Sequence, residues 1–128
     1  MNQEMTTVNR TFSMMIGRMF GGGGANGKFA QCTMKELAQR LETETDFILL
    51  DVRTQEGFAQ GYIPGAVCLP NDELAGAAAT RLPNKEQLIF VYCHSGMRSM
   101  MAASYLASQG YTNIVECGGI TDWQGKLD

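Results

Sequence analysis

Four cysteines carry the reactive chemistry of this 128-residue chain: Cys32, Cys68, Cys93 and Cys117. They fall 36, 25 and 24 residues apart, and no two form a C-x-x-C pair. His94 is the only histidine. Zinc sites gather four ligands at short spacing, so this pattern argues against one. An even cysteine count suits disulfides in a secreted chain, but a chain of this length buries a core without them. The expectation is a reducing, cytoplasmic setting in which one thiol has a reason to react.

Cys93 has that reason. It follows the apolar run Leu88-Ile89-Phe90-Val91-Tyr92 and precedes His94, Ser95 and Gly96, a short polar link into a helical stretch. A loop between a strand and a helix can turn several backbone N–H groups inward as an anion-binding nest. The positive end of the helix behind it adds to the effect. Both favour thiolate over thiol, the form a nucleophilic cysteine needs. Gly96 permits the close turn that a side chain would block. Arg98, five residues after the cysteine, offers a fixed charge to an anionic substrate or to a neighbouring carboxylate. His94 is adjacent to Cys93, so it is expected to shape the loop rather than to move a proton. Cys68 and Cys117 sit in apolar runs and read as inert buried thiols, and Cys32 lacks the setting of Cys93.

The elements that must position this loop alternate along the chain. Thr33-Met34-Lys35-Glu36 has the form of a capping box and predicts a helix over residues 33–44. Residues 47–52 form a nearly continuous apolar run, which suits a strand buried on both faces. Residues 53–60 read as a short helix or turn, and residues 66–69 as a short strand. An alanine-rich helix is expected over residues 72–80, a second buried strand over 88–92, a helix over 98–109 capped by Gly110, and a third strand over 113–117. Gly118-Gly119 reads as a turn into a short final helix holding Trp123. This alternation predicts an α/β fold: a parallel β-sheet with helices on both faces. Sites in such sheets lie beyond the carboxyl ends of the strands, which points to Cys93–Ser99 and to Asp51 and Arg53. The last two are expected to serve as framework.

Composition limits the remaining choices. Ten Lys and Arg against thirteen Asp and Glu give a net charge of -3, which offers no basic footprint for nucleic acid. A hydrophobic share of 45% argues against general disorder. Residues 1–28 read as a separate leader with a hinge at Gly21 to Gly24, and residues 29–128 as the domain. Residues 12–20 have the pattern of a short amphipathic helix able to touch a membrane surface, a partner or the domain. The apolar stretch is broken by Gly17 and Arg18, which makes it a weak secretory signal. A leader without a binding role is the expected reading.

Three motifs in order resemble those of the rhodanese homology domain, specifically its single-domain members. The first is Leu50-Asp51-Val52-Arg53 with Glu56 and Gly61-Tyr62-Ile63-Pro64-Gly65-Ala66. The second is Cys93-x-x-Gly96-x-Arg98-Ser99 with Ala102, Ala103 and Leu106. The third is Gly118-Gly119 followed by Trp123. The match runs from Thr33 to Trp123. Tyr62 departs from the family, which usually has His there, at a position that looks structural.

The resemblance implies sulfane-sulfur transfer. Cys93 would take sulfur from a small anionic donor such as thiosulfate and hand it to cyanide, a thiol or a sulfur-carrier protein. His94, Ser95, Gly96, Met97, Arg98 and Ser99 would hold the donor and the persulfide, with no metal or organic cofactor. Two rivals remain. Cysteine phosphatases and arsenate reductases of related fold place five residues between Cys and Arg, where this chain has four. The shorter loop suits a sulfur atom better than a tetrahedral oxyanion. A non-catalytic interaction module of the family would lack the cysteine that is present here.

Overall fold

The computed structural model describes residues 28–128. The leader expected over residues 1–28, with its amphipathic segment and glycine hinge, lies outside the described residues except for Lys28. The chain order is β1 (Ala30–Gln31), α1 (Met34–Thr43), β2 (Phe47–Asp51), α2 (Gln55–Ala59), β3 (Val67–Cys68), a 3₁₀ turn (Asn71–Glu73), α3 (Leu74–Arg81), β4 (Leu88–Cys93), α4 (Met97–Ser108), β5 (Ile114–Gly119) and a last 3₁₀ turn (Ile120–Asp122).

The five strands form one parallel sheet in the order β1-β5-β4-β2-β3. Alternation along the central strands divides the core. Leu50, Val52, Val91 and Cys93 pack with Leu74 and Ala78 of α3 and with Ala102, Ala103 and Leu106 of α4. On the opposite face Leu49, Phe90, Tyr92 and Cys117 pack with Met34 and Leu37 of α1, and Phe58 of α2 joins them. Burying each large aliphatic side chain contributes about 1.5–3 kcal/mol, so the two continuous apolar strands, β2 and β4, anchor both layers.

Local signals set the boundaries. The Thr33 hydroxyl accepts from Glu36 N at 3.0 Å, and the Glu36 carboxylate accepts from Thr33 N at 2.8 Å. This closed capping box starts α1 and contributes about 1 kcal/mol. The region expected as one helix over residues 72–80 begins as the 3₁₀ turn and continues as α3 to Arg81. Gly118 and Gly119 correct the expected turn: both belong to β5, where Gly119 pairs with Cys93 across a register shift. Trp123 correspondingly follows the last 3₁₀ turn rather than sitting within a helix. Among the described residues no helix is long and apolar enough to cross a membrane.

Candidate active site

Cys93 is the last residue of β4, and α4 begins four residues later. Its side chain is buried, but its sulfur accepts a hydrogen bond from Gly96 N at 3.0 Å. That contact requires the chain to double back within three residues. Gly96 does this with φ at +108°, a conformation costly for a residue with a Cβ. Gly96 is also the N-cap of α4, with no side chain capping the helix. The first-turn amides of a twelve-residue helix are thus left for an anion or a polarised sulfur.

Seating this loop depends on β5. A Cβ on Gly119 would stand 2.2 Å from His94 O and 2.6 Å from Ser95 Cα, so only a glycine lets the loop cross there. Thr121 N donates to His94 O at 3.3 Å and ties the same crossing from the other side. Gly119 therefore lets the loop approach, while Gly118 takes a left-handed φ of +82° beside it, which explains why the motif stands so far in sequence from Cys93.

The expected site residues divide into two groups. Around Cys93, the side chains of His94, Ser95, Met97 and Arg98 are exposed, while Ser99 is fully buried. Met97 is 77% exposed, which puts it at the rim rather than over the sulfur. Arg98 makes no ion pair among the described residues, so it does not tie the loop to a carboxylate and stays open to an incoming anion. Ser99 Oγ lies 3.5 Å from Cys93 Sγ.

Asp51 and Arg53 lie on the other side of the sheet. Asp51 is in register with Tyr92 and shares its face, opposite Cys93. The two side chains form a buried pair, with Arg53 Nη2 2.7 Å from Asp51 Oδ2 and Arg53 Nε 3.0 Å from Oδ1. Burial pulls the guanidinium down, yet hydrogen bonds and charge from Asp51 outweigh it and hold Arg53 above its ordinary value. Arg53 Nη2 also donates to Gly61 O at 2.7 Å, and Ile63 N donates to Tyr92 Oη at 3.1 Å. Arg53 and Tyr92 thus hold the two ends of the Gly61–Ile63 turn. Tyr62, where the family usually has His, stacks on Phe58 at 4.1 Å, and its N–H and C=O pair with Asp128.

The other thiols are placed apart from this loop. Cys117 is fully buried on the α1 face, 3.6 Å from Cys32 Sγ. Burial, then Cys32, pushes its thiol well above the ordinary range. Burial and the Asp51 charge raise Cys68 as well. Among the described residues no three His, Cys, Asp or Glu side chains cluster as metal ligands.

One residue escaped the sequence reading. Glu116 sits within the apolar run of β5 yet is only 3% exposed, and its carboxylate contacts Ser99. The available signal was a charged residue in a strand otherwise buried on both faces; its partners, Ser99 and Gln31, are 17 and 85 residues away in sequence.

Known proteins resemble this chain in sequence and in fold. The family model of the rhodanese-like domain matches residues 33–126. A protein named sulfurtransferase from Allochromatium vinosum is 40% identical over 90 residues, covering 70% of this chain and 82% of the relative. The thiosulfate sulfurtransferase PspE of Escherichia coli is 36% identical over 73 residues, covering 57% of this chain and 70% of its own. The solution structure of the rhodanese-like domain of an Anabaena protein superimposes with a TM-score of 0.71 at 29% identity, covering 79% of this chain and 80% of that one. With a parallel sheet, a cysteine loop seated against Gly119 and these relatives, the chain belongs to the rhodanese-like domain family and is a sulfurtransferase.

Proposed function

We propose that this protein transfers sulfane sulfur through a persulfide on Cys93. The observation that carries the reading is the hydrogen bond from Gly96 N to Cys93 Sγ at 3.0 Å, at the N-terminal end of α4. An amide aimed at sulfur stabilises a thiolate, and afterwards the negative persulfide, without a proton-accepting side chain.

In the first half-reaction the Cys93 thiolate attacks the outer sulfur of thiosulfate. A Cys93 S–S bond forms, the donor's S–S bond breaks, and sulfite leaves with the electron pair. Arg98, exposed and without an ion pair among the described residues, suits holding the anionic donor. His94, Ser95, Met97 and Ser99 complete the loop around it. In the second half-reaction cyanide or a thiol attacks the terminal sulfur, the Cys93 S–S bond breaks, and the thiolate is restored. A sulfur-carrier protein would fill the acceptor role in the cell. The four free thiols accord with a reducing, cytoplasmic setting. Asp51 and Arg53 support the site from the far face, where Arg53 holds the Gly61 end of the Gly61–Ile63 turn.

Steady-state sulfur transfer from thiosulfate to cyanide tests this reading. Cys93→Ser is expected to abolish turnover while the protein stays folded. Retained turnover in that variant, or phosphatase activity that disappears with Cys93, would overturn it.

A further inference from the structure

Glu116 is a buried carboxylate that the sulfur-transfer steps above leave unused. Its side chain is 3% exposed, and no ion pair reaches it among the described residues. Three donors converge on it instead. Ser99 Oγ donates to Oε2 at 2.5 Å, Gly118 N donates to Oε2 at 2.8 Å, and Gln31 Nε2 donates to Oε1 at 3.1 Å. Gln31 Nε2 also lies 3.2 Å from Met100 Sδ, which orients the amide. Donors thus reach both carboxylate oxygens.

Ser99 has one hydroxyl proton and three nearby oxygen acceptors: Glu116 Oε2 at 2.5 Å, Gly96 O at 3.0 Å and Gly118 O at 3.4 Å, while Cys93 Sγ, 3.5 Å away, is placed to donate to its oxygen. The carboxylate is both the nearest and the charged one, so it takes the proton. The Ser99 oxygen then faces Cys93 as an acceptor, which suits the S–H form of the thiol and gives nothing to the thiolate.

We infer that Glu116 is a positioning residue for sulfur transfer: by holding the Ser99 proton, and by its own charge, it restrains Cys93 thiolate formation and keeps the thiolate that does form strongly nucleophilic. This rests on Cys93 as the nucleophile. Among the described residues no cation on the elements packed around Glu116 forms an ion pair with it. From β4 and its loop come Cys93 and the exposed His94. From α4 come Ser99, the exposed Arg98 and Tyr105, and from β1 Gln31, with Cys32 just beyond it. Cys117 on β5 points to the opposite face, where α1 presents Met34 and Leu37.

The consequence for the two half-reactions is opposite in sign. A more basic thiolate attacks a sulfane sulfur faster, and leaves a persulfide more slowly. The Glu116–Ser99 pair thus favours loading and a persulfide that persists until an acceptor arrives.

The test is the rate of Cys93 alkylation by iodoacetamide against pH, followed by peptide mass mapping, in the wild type and in Glu116→Gln. The glutamine is neutral, and the thiolate outcompetes it for the Ser99 proton. The two profiles are expected to cross. On the acid limb the variant reacts about threefold faster, because a roughly tenfold gain in thiolate is partly offset by its weaker nucleophilicity. On the alkaline plateau it reacts about threefold slower. The loaded variant should also surrender its sulfur to a thiol acceptor faster.

Superimposed profiles, or a constant factor at every pH such as looser packing gives, would overturn the inference. In a Ser99→Ala background the effect of Glu116→Gln should shrink; an effect of undiminished size would show that Ser99 plays no part. If Glu116→Gln fails to fold, Glu116→Leu replaces the buried ion with an apolar group of similar size and reads the same crossing. Alkylation reports the thiol directly, so it stays readable even if Cys93→Ser were to retain sulfur transfer and the nucleophile assignment failed.

Discussion

A Cβ on Gly119 would stand 2.2 Å from the carbonyl oxygen of His94, closer than any packed atom pair allows. The nucleophile loop and the end of β5 are therefore one unit, built only if residue 119 has no side chain. Gly119→Ala should push residues 94–96 off their seat. We expect turnover to fall about 100-fold, as misplacing reacting groups by roughly 1 Å costs that much. Stability should drop by about 1–3 kcal/mol from overpacking. Thiosulfate turnover and urea unfolding on the same preparation check both.

The buried pair on the far face predicts the opposite balance. Removing one partner of a buried ion pair costs about 3–5 kcal/mol, because the other charge is left alone. Arg53→Met should unfold at far lower denaturant than the wild type, since Asp51 is wholly buried and would lose its cation. Activity per folded molecule should fall much less than in Gly119→Ala, because the pair lies on the face opposite Cys93. Titrating both variants with urea while assaying the folded fraction separates the two effects.

Alkaline pH should erode stability in a defined direction. Burial and the neighbouring Asp51 raise Tyr92, burial raises Tyr111, and burial with Cys32 raises Cys117. Each group is neutral when protonated, so the unfolded chain loses these protons first as pH rises. Stability is fully present below the unfolded values, 9.0 for the thiol and 10.0 for the phenols, and falls above them. The slope is about 1.4 kcal/mol per pH unit for each group that titrates only in the unfolded state. Denaturant unfolding should give a flat free energy from pH 7 to about 8 and a steep decline above about 9.

Much of this architecture was legible in the sequence for local reasons. Thr33 and Glu36 declare the start of α1 because a capping box is closed by residues three apart. The apolar runs of β2 and β4 announce strands buried on both faces. What escaped depends on distant partners. β1 is two residues long and exists through pairing of Ala30 with Val115 and Gln31 with Glu116. Gly118 and Gly119 look like a turn in sequence, but the bulged pairing with β4 draws them into β5. The Cys93 loop could be found because strand, glycine and helix are consecutive. Glu116 left only the signal of a charge within an apolar strand, since the partners that make its burial tolerable, Ser99, Gly118 and Gln31, are brought together by the fold.

The thiols should rank by environment. Cys117 is buried and its thiol is held well above the ordinary range, so its thiolate is scarce at neutral pH. Brief treatment with iodoacetamide at pH 7.5 should label Cys93 first and leave Cys117 unlabelled until the protein is unfolded. Peptide mapping of the four cysteines checks the order.

The most direct measurement is the intact mass of the protein after thiosulfate, with the modified peptide located. One added sulfur, about 32 Da, on the peptide carrying Cys93 is the predicted result, removed on addition of cyanide and absent in Cys93→Ser. An unchanged mass, or a sulfur carried by Cys32, Cys68 or Cys117 instead, would contradict a Cys93 persulfide as the carrier.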